Sequence, residues 1–150
     1  ERRKRRGLGK PETFNFLGFT HICGRTRQGK FKVLRQTMKK RLRAKLQTLQ
    51  AALWQRLHDP VPDVGRWLNS VLTGHYRYFA VPGNSPALAL FRHQILRLWQ
   101  RALSRRSQKG RVHWIRMARL AQRWLPTPRI LHPYPSQRLC VITQSKSPVR

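Results

Sequence analysis

Apolar residues in the central part of the chain recur at spacings of three and four, which is the period of an amphipathic α-helix. The clearest run covers residues 37–58, where Met38 and five leucines fall on one stripe of a helix. Thr37 stands just before this stripe and is the predicted N-cap, because its hydroxyl can accept a hydrogen bond from a free backbone N–H. The pattern predicts a long helix that buries one face in a core.

Three further amphipathic runs follow, separated by breaks that are rich in Pro and Gly. The second helix is predicted to begin at the N-cap Asp63 and to run into residues 74–79, and the other two are predicted over residues 86–104 and 112–125. Asn84 or Ser85 is the predicted N-cap of the third helix, since each side chain can accept a hydrogen bond there. The sequence therefore predicts about four helices.

The segment before the helices is aromatic and β-branched, and it predicts a β-hairpin over residues 13–36. Its strands are expected at residues 13–23 and 30–35, with the turn at residues 24–29. Gly18 falls inside the first of these strands, where glycine indicates a bulge or the close approach of another backbone. The expected fold is mostly α, with an N-terminal β-hairpin packed on a bundle of about four helices and with basic disordered tails.

Changes in composition divide the chain into four parts. Residues 1–12 form a basic linker or tail, 13–36 the hairpin, 37–125 the helical domain, and 126–150 a C-terminal tail rich in Pro, Ser and Arg. Runs of this kind, with many charges or prolines and few apolar residues, bury too little surface to order themselves. Order is therefore expected mainly between residues 13 and 125, and in the C-terminal tail over residues 130–135.

The chain is strongly basic, with 33 Lys and Arg against 4 Asp and Glu and a formal net charge of +29. So few carboxylates cannot neutralise the cations within the fold, and a polyanion such as nucleic acid is the expected partner. The hydrophobic share of 39%, which includes five Trp and six Phe, is too high for a purely disordered basic tail. Composition thus favours a folded nucleic-acid-binding domain.

Catalytic and metal-binding patterns are not found in the sequence. Asp59 and Asp63 are the only Asp residues, and a two-metal polymerase or nuclease site needs clustered carboxylates. The six histidines have no Cys or His partner at zinc spacing, and no phosphate-binding loop or nucleophile motif is present. No apolar run approaches the roughly 20 residues of a membrane helix. We expect a binding protein without enzymatic activity, cofactor, metal or membrane partner.

Several short segments, in the same order along the chain, resemble one protein family. They are Phe16-Leu17-Gly18-Phe19, Gly74-His75-Tyr76-Arg77-Tyr78-Phe79, Val81-Pro82-Gly83-Asn84, Arg123-Trp124-Leu125-Pro126 and Arg129-Ile130-Leu131-His132-Pro133-Tyr134-Pro135. The chain resembles the C-terminal part of group II intron-encoded reverse transcriptase/maturases. The first segment is similar to their hairpin near the primer strand, and the others to their thumb, which is also called domain X or the maturase-specific domain.

The resemblance implies a thumb domain that binds group II intron RNA, assists its splicing, and grips the RNA/DNA template–primer duplex during reverse transcription. It also implies that the fingers and palm of a longer protein precede this part and are a further partner. The catalytic aspartates and their Mg²⁺ are expected only in that palm. The resemblance places the protein in the bacterial cytoplasm, associated with ribonucleoprotein.

Candidate contact residues follow from the basic runs and from the matched segments. The predicted RNA contacts are Lys39, Lys40, Arg43, Lys45, His75, Tyr76, Arg77, Arg92, Arg105, Arg106, Lys109 and Arg111, and the predicted primer-proximal hairpin residues are Phe16, Leu17, Gly18 and Phe19. His75 and Tyr76 are expected to contact bases or sugars, because aromatic rings stack on unpaired bases. For Tyr78 and Phe79, core packing is favoured over base stacking.

Two other functions are compatible with the same sequence. One is a basic structural protein of ribosomal type that coats RNA or DNA without preference, since phosphate contacts give affinity without sequence information. The other is an enzyme fragment that regains polymerase activity when the palm is supplied separately. The segment at residues 74–84 favours the maturase thumb over both.

Overall fold

Three antiparallel strands and four helices make up the computed structural model, which describes residues 13–106 and 112–134. The strands are β1 (Phe14–Phe16), β2 (Phe19–Arg25) and β3 (Phe31–Thr37), in the order β1-β2-β3. The helices are α1 (Lys39–Gln55), α2 (Val61–Phe79), α3 (Ser85–Arg105) and α4 (Trp114–Trp124). This confirms the predicted fold, a mostly helical chain with an N-terminal hairpin on about four helices. The hairpin carries one strand more than expected.

The additional strand arises because a tight turn divides the first predicted strand. Leu17 and Gly18 have φ angles of +47° and +83°, and they join Phe16 to its register partner Phe19. Two central residues with positive φ are typical of the two-residue turns that match the twist of a hairpin. Gly18 is therefore a turn residue and not a bulge inside a strand, whereas the alternative prediction, the close approach of another backbone, is confirmed. Its carbonyl also accepts a hydrogen bond from the backbone N–H of Met38 at 3.0 Å.

Two of the predicted helix caps were wrong. Thr37 is the last residue of β3, and α1 begins two positions later without a side-chain cap from any described residue. Asp63 lies in the first turn of α2, where its carboxylate accepts a hydrogen bond from Arg66. The helix starts earlier than predicted because Pro62 fits the first turn, where its missing N–H leaves no bond unmade.

The core of the bundle is built around α3. Leu88, Phe91, Ile95 and Trp99 on this helix are at most 1% exposed. They pack with Leu42, Leu49 and Leu53 of α1, with Val64, Leu68, Leu72 and Tyr76 of α2, and with Met117 and Ala121 of α4. Complete burial of such side chains contributes about 1.5–3 kcal/mol each, so this cluster holds the helices together. The leucine stripe predicted from sequence is the face that α1 gives to it.

Asn84 joins the sheet to the bundle. It stands at the N-cap position of α3, as predicted, but its side chain does not cap the helix. Instead, its Oδ1 accepts from the N–H of Thr37 at 2.9 Å, and its Nδ2 donates to the Thr37 hydroxyl and to the carbonyl of Phe79, both at 2.8 Å. One side chain that is 1% exposed therefore fixes the end of β3 against the turn between α2 and α3.

The first residues of the predicted C-terminal tail lie along α2. The backbone N–H groups of Leu131 and His132 both donate to the carbonyl of Ala80, at 3.0 and 3.2 Å. The Tyr76 hydroxyl donates to the carbonyl of Pro126 at 3.2 Å. Residues 126–134 thus belong to the folded body, while the predicted tail segments 1–12 and 135–150 lie outside the described residues.

Alanine substitutions at two glycines of α2 are predicted to change the free energy of unfolding in opposite directions. A Cβ at the buried Gly65 would lie 2.6 Å from the Trp124 ring, whereas a Cβ at the exposed Gly74 would meet nothing within 4 Å. We expect Gly65→Ala to lower the free energy of unfolding by about 1–3 kcal/mol through overpacking. Gly74→Ala should raise it by about 0.5–1 kcal/mol, because alanine restricts the unfolded chain. Urea unfolding of both variants measures this, and equal effects would contradict the Trp124 packing.

Candidate nucleic-acid interface

The N-terminal end of α1 carries an unneutralised cluster of cations. The exposed members, all within its first two turns, are Lys39, Lys40, Arg41, Arg43 and Lys45. In the described part of the chain the carboxylates are Asp59 and Asp63, which pair with Arg56 and Arg66 at the other end of α1 and at the start of α2. Cations at a helix N-terminus are repelled by the helix dipole. A bound phosphate would relieve this repulsion and would also accept from the uncapped N–H groups.

A cleft of about 620 Å³ opens between α1 and α2 beside this cluster. On the α1 side it is lined by Arg41, Lys45 and Thr48, and on the α2 side by Ser70, Gly74 and Tyr78. Leu42, Val71, His75 and Phe79 also line it. We call it the α1–α2 cleft. Thr37 is a further lining residue. Two cations, four hydroxyls and apolar side chains suit a nucleotide, since phosphate and sugar are polar and a base is flat and largely apolar.

Helical geometry decides which α1 cations reach this cleft. Arg41, Lys45 and Thr48 follow one another at spacings of four and three, so they share one face. Arg43 lies roughly 160° around the helix axis from Lys45, at 3.6 residues per turn. Of the four α1 residues predicted to contact RNA, only Lys45 lines the cleft. Arg41 was missed, although its spacing of four from Lys45 is visible in the sequence.

His75 and Tyr76 were predicted to contact bases, but they lie in the core. His75 is 9% exposed, with its ring centroid 3.9 Å from that of Phe91 and 4.5 Å from that of Phe79. Tyr76 is 5% exposed and donates its hydroxyl proton to the carbonyl of Pro126. Tyr76 therefore has no free face for a base, which corrects its predicted role. The His75 ring packs on Phe91 and Phe79 and reaches the α1–α2 cleft only with its small exposed part.

Burial favours the uncharged form of both groups. Desolvation, with a smaller contribution from the Lys45 ammonium, lowers the pKa of His75 from 6.5 to about 4. Desolvation raises the pKa of Tyr76 from 10.0 to about 12, although the Arg92 guanidinium acts in the opposite direction. Among the described residues no partner accepts or donates at the buried Nε2 of His75.

Among residues 74–79 the exposed ring is that of Tyr78, for which the sequence favours core packing. Tyr78 is 49% exposed and lines the α1–α2 cleft, and its hydroxyl donates to the carbonyl of Leu17 at 2.7 Å. Phe79 is half-buried, as predicted, with its ring centroid 5.2 Å from that of Phe19. The same contacts hold the β1–β2 turn, so Phe19 is buried while Phe16 and Leu17 remain exposed.

The remaining predicted arginines have different surroundings. Arg77 is exposed on α2. Arg92 is half-buried, and its guanidinium donates to the carbonyls of Leu125 and Ala121 at 3.2 and 3.4 Å. These two carbonyls lie at the C-terminal end of α4, so Arg92 has a structural role that the sequence did not reveal. No carboxylate of the described residues takes part in this contact.

Arg105 and Arg106 lie at the opposite end of the bundle from the α1 cluster. Arg105 stacks over the Trp54 ring at 4.8 Å, and Arg106 donates to the carbonyl of His58 at 3.2 Å. Since α1 has 17 residues, this end is roughly 25 Å from the cluster. The two predicted groups of RNA contacts thus form separate patches. Lys109 and Arg111 of the second group lie outside the described residues.

Comparisons with known proteins do not assign the chain to a family. No protein-family model, no curated protein and no solved structure matches the chain. Within residues 13–106 and 112–134, no group of three or more His, Cys, Asp and Glu is placed to hold a metal ion. None of the described helices combines the length and the hydropathy that crossing a bilayer requires.

The lowered pKa of His75 predicts a pH dependence of stability that is expected of a buried side chain and not of an exposed RNA contact. Because the folded-state pKa of about 4 is below the usual 6.5, the unfolded chain binds more protons between these values. The free energy of unfolding should therefore fall as the pH is lowered from 6.5 toward 4. His75→Phe should abolish this contribution and keep stability at pH 7, since it removes a buried nitrogen without a partner. Urea unfolding across this pH range measures it, and an unchanged slope in the variant would contradict the assignment.

Proposed function

We propose that this protein is an RNA-binding module, and that it acts as the thumb, or maturase-specific domain, of a group II intron-encoded reverse transcriptase. In this function it binds intron RNA to assist splicing. It also holds the template–primer duplex for a palm located elsewhere in the protein. The observation that carries the proposal is the cationic end of α1 beside the α1–α2 cleft, where no carboxylate of the described residues neutralises the charge.

The electrostatic argument supports a nucleic acid as the ligand. A protein with a net charge of +29 binds polyanions through released counterions, and its affinity falls steeply with salt. The arrangement of the cations adds a second requirement, because Arg41 and Lys45 stand at the edge of a concave surface. A concave site with polar and apolar lining favours a nucleotide of defined shape over the smooth backbone of a uniform duplex.

The sequence resemblance supports the narrower part of the proposal. The segments that resemble maturases meet in this fold. The turn at residues 16–19 contacts the end of α2 through Tyr78, and residues 126–134 lie on the same helix end. Asn84, from the segment at residues 81–84, joins β3 to α2. Segments that are far apart in the chain thus build one joint between sheet and bundle, next to the α1–α2 cleft.

The second candidate function is a basic structural protein of ribosomal type. Exposed cations that are spread around α1 favour it, because they suit contacts with many phosphates and select no sequence. The two functions differ in what they predict for competition. A maturase thumb prefers its intron RNA to other polyanions, whereas a general coating protein does not.

A salt-titrated competition tests the proposal. A labelled group II intron RNA is bound by the chain and challenged with unrelated structured RNA and with duplex DNA at near-physiological salt. We expect the intron RNA to keep an advantage of about tenfold or more, which is about 1.4 kcal/mol. If unrelated RNA and duplex DNA displaced the labelled RNA as readily as unlabelled intron RNA does, the maturase function would be rejected in favour of the structural protein. Failure of the chain to bind any of the three nucleic acids would reject both functions.

A further inference from the structure

The three strands present one face that is rich in exposed aromatic residues. Register places Phe14, His21 and Arg35 in one row across the sheet, and Arg25 and Phe31 in a row further along the same face. Val33 and Cys23 stand between these rows, and Phe16 follows Phe14 at the other end. We call this the aromatic sheet face. Neighbouring rows are about 7 Å apart, which is the rise of two residues along a strand.

Three aromatic rings of this face are open to solvent, whereas Phe19, which is in register with Phe16, is buried against the bundle. Phe31 is 72% exposed, and Phe14 and Phe16 are each 59% exposed. Phe14 lies parallel to the His21 ring, with the centroids 4.7 Å apart and the planes 3° from parallel. One side of the Phe14 ring is therefore stacked already, and its exposure leaves the other side for a further flat group. A cluster of exposed rings on a sheet marks an interaction surface.

The charges around the rings favour a polyanion as the occupant. Residues 13–37 contain the five cations Arg25, Arg27, Lys30, Lys32 and Arg35, and no Asp or Glu. Arg25 and Arg35 lie on the aromatic sheet face itself, each in a row with a ring. An apolar protein partner would have to bury these two guanidinium groups, which is costly without carboxylates to pair with them. Unpaired nucleotides provide both a flat base for the ring and a phosphate for the cation.

The face leads into a second cleft, of about 450 Å³. The sheet contributes Phe16, His21 and Arg35 to its lining, and Arg77, Tyr78 and His132 line it from the bundle side. An RNA strand that lies on the aromatic sheet face from Phe31 to Phe14 would enter the second cleft between Arg35 and Arg77. The second cleft is distinct from the α1–α2 cleft, although both are lined by Tyr78.

We infer that the aromatic sheet face binds an unpaired segment of RNA, with bases stacked on Phe14 and Phe31 and phosphates held by Arg25, Arg35 and Arg77. This inference rests on the proposed function in one respect, namely that RNA is the ligand. It goes beyond that function because it assigns a second site, on the sheet, which recognises single strands. The α1–α2 cleft and the α1 cluster remain the site for structured RNA.

The experiment compares two RNAs and two matched variants. Fluorescence anisotropy measures binding of a labelled 12-nucleotide oligouridine and of the intron RNA, each to the full chain. The test variant carries Phe14→Leu and Phe31→Leu, which keep the apolar character and remove the aromatic rings. The control is Trp114→Leu, which removes an exposed ring on α4, away from the sheet. Thermal unfolding checks that all variants fold, as expected for residues that are at least half exposed.

The double variant should bind oligouridine about tenfold or more weakly than the wild type, because base stacking on a ring contributes on this scale. Its affinity for intron RNA should fall by a smaller factor, because the cations of α1 and the α1–α2 cleft still bind that RNA, and Trp114→Leu should leave oligouridine binding unchanged. Unaltered oligouridine binding by the double variant would overturn the inference. Specific binding of intron RNA by the same variant would still support the proposed function. A wild-type dimer that the double variant dissociates, seen by sedimentation, would instead make the face a protein interface and would also overturn it.

Discussion

Replacing Asn84 with alanine is expected to lower the free energy of unfolding by about 2–4 kcal/mol, because several hydrogen-bonding groups lose their partner at once. The N–H and the hydroxyl of Thr37 both bond to this side chain, at 2.9 and 2.8 Å. The carbonyl of Phe79 loses one of its two bonds and keeps the one from the N–H of Val81. The site is buried, so water cannot replace the lost bonds without opening the joint between sheet and bundle.

Three variants make this prediction specific. Asn84→Asp keeps an acceptor for the Thr37 N–H but loses both donated bonds and buries a charge, so it should be at least as damaging as alanine. Thr37→Val removes only the hydroxyl and should cost about 1 kcal/mol. Asn15→Ala removes an exposed side chain, bonded to Thr20, and should stay within about 0.5 kcal/mol of the wild type.

Urea unfolding gives these free energies, and amide hydrogen exchange at Thr37 reports the joint directly. Exchange at this amide should accelerate in Asn84→Ala more than in Asn15→Ala, because its acceptor has been removed. If Asn84→Ala unfolded like Asn15→Ala, and Thr37 remained protected in it, the sheet would be held to the bundle by other contacts. The packing of Phe19 on Phe79 would then be the principal one.

Removing the two cations at the α1–α2 cleft should weaken intron RNA binding far more than removing two others from the same helix. The cleft variant carries Arg41→Ala and Lys45→Ala, and the matched variant carries Lys39→Ala and Arg43→Ala. Each variant loses two positive charges from the first two turns of α1. We expect about a 10- to 100-fold loss for the cleft variant, since charged hydrogen bonds contribute about 1.5–3 kcal/mol each. The affinity of the matched variant for intron RNA should fall by about threefold or less, because its two cations act mainly through the overall positive potential of the protein.

The salt dependence of binding separates direct contacts from that field. Each lost phosphate contact should reduce the slope of log affinity against log salt by about 0.7–0.9, so the cleft variant should lose about 1.5 in total. All four side chains are exposed and none pairs with a carboxylate of the described residues, so both variants should keep wild-type stability. Equal losses of affinity and slope in the two variants would show that the cleft has no special role. The general coating function would then be the better description.

The exposure of individual aromatic side chains is what the sequence predicts least well. Burying His75 and Tyr76 while exposing Tyr78 reverses the expected roles of neighbouring rings. Aromatic side chains serve equally as core and as ligand surface, and the residue type does not reveal which face of α2 meets α3. Arg92 was missed as a structural residue for a related reason, because the carbonyls that it contacts are brought to it by the end of α4.

The sequence by itself determined the four helices and the fold class, and it predicts the class of partner. Leucines at spacings of three and four define α1 wherever the chain is placed, because burying that stripe is the only way to remove it from water. The excess of cations likewise predicts a polyanion as the partner, whatever the fold. The tertiary structure alone decided that Thr37 ends a strand, that Asn84 bonds to the sheet, and that Arg41 and Lys45 share a cleft. These facts depend on which distant segments meet, and local patterns of polarity carry no information about that.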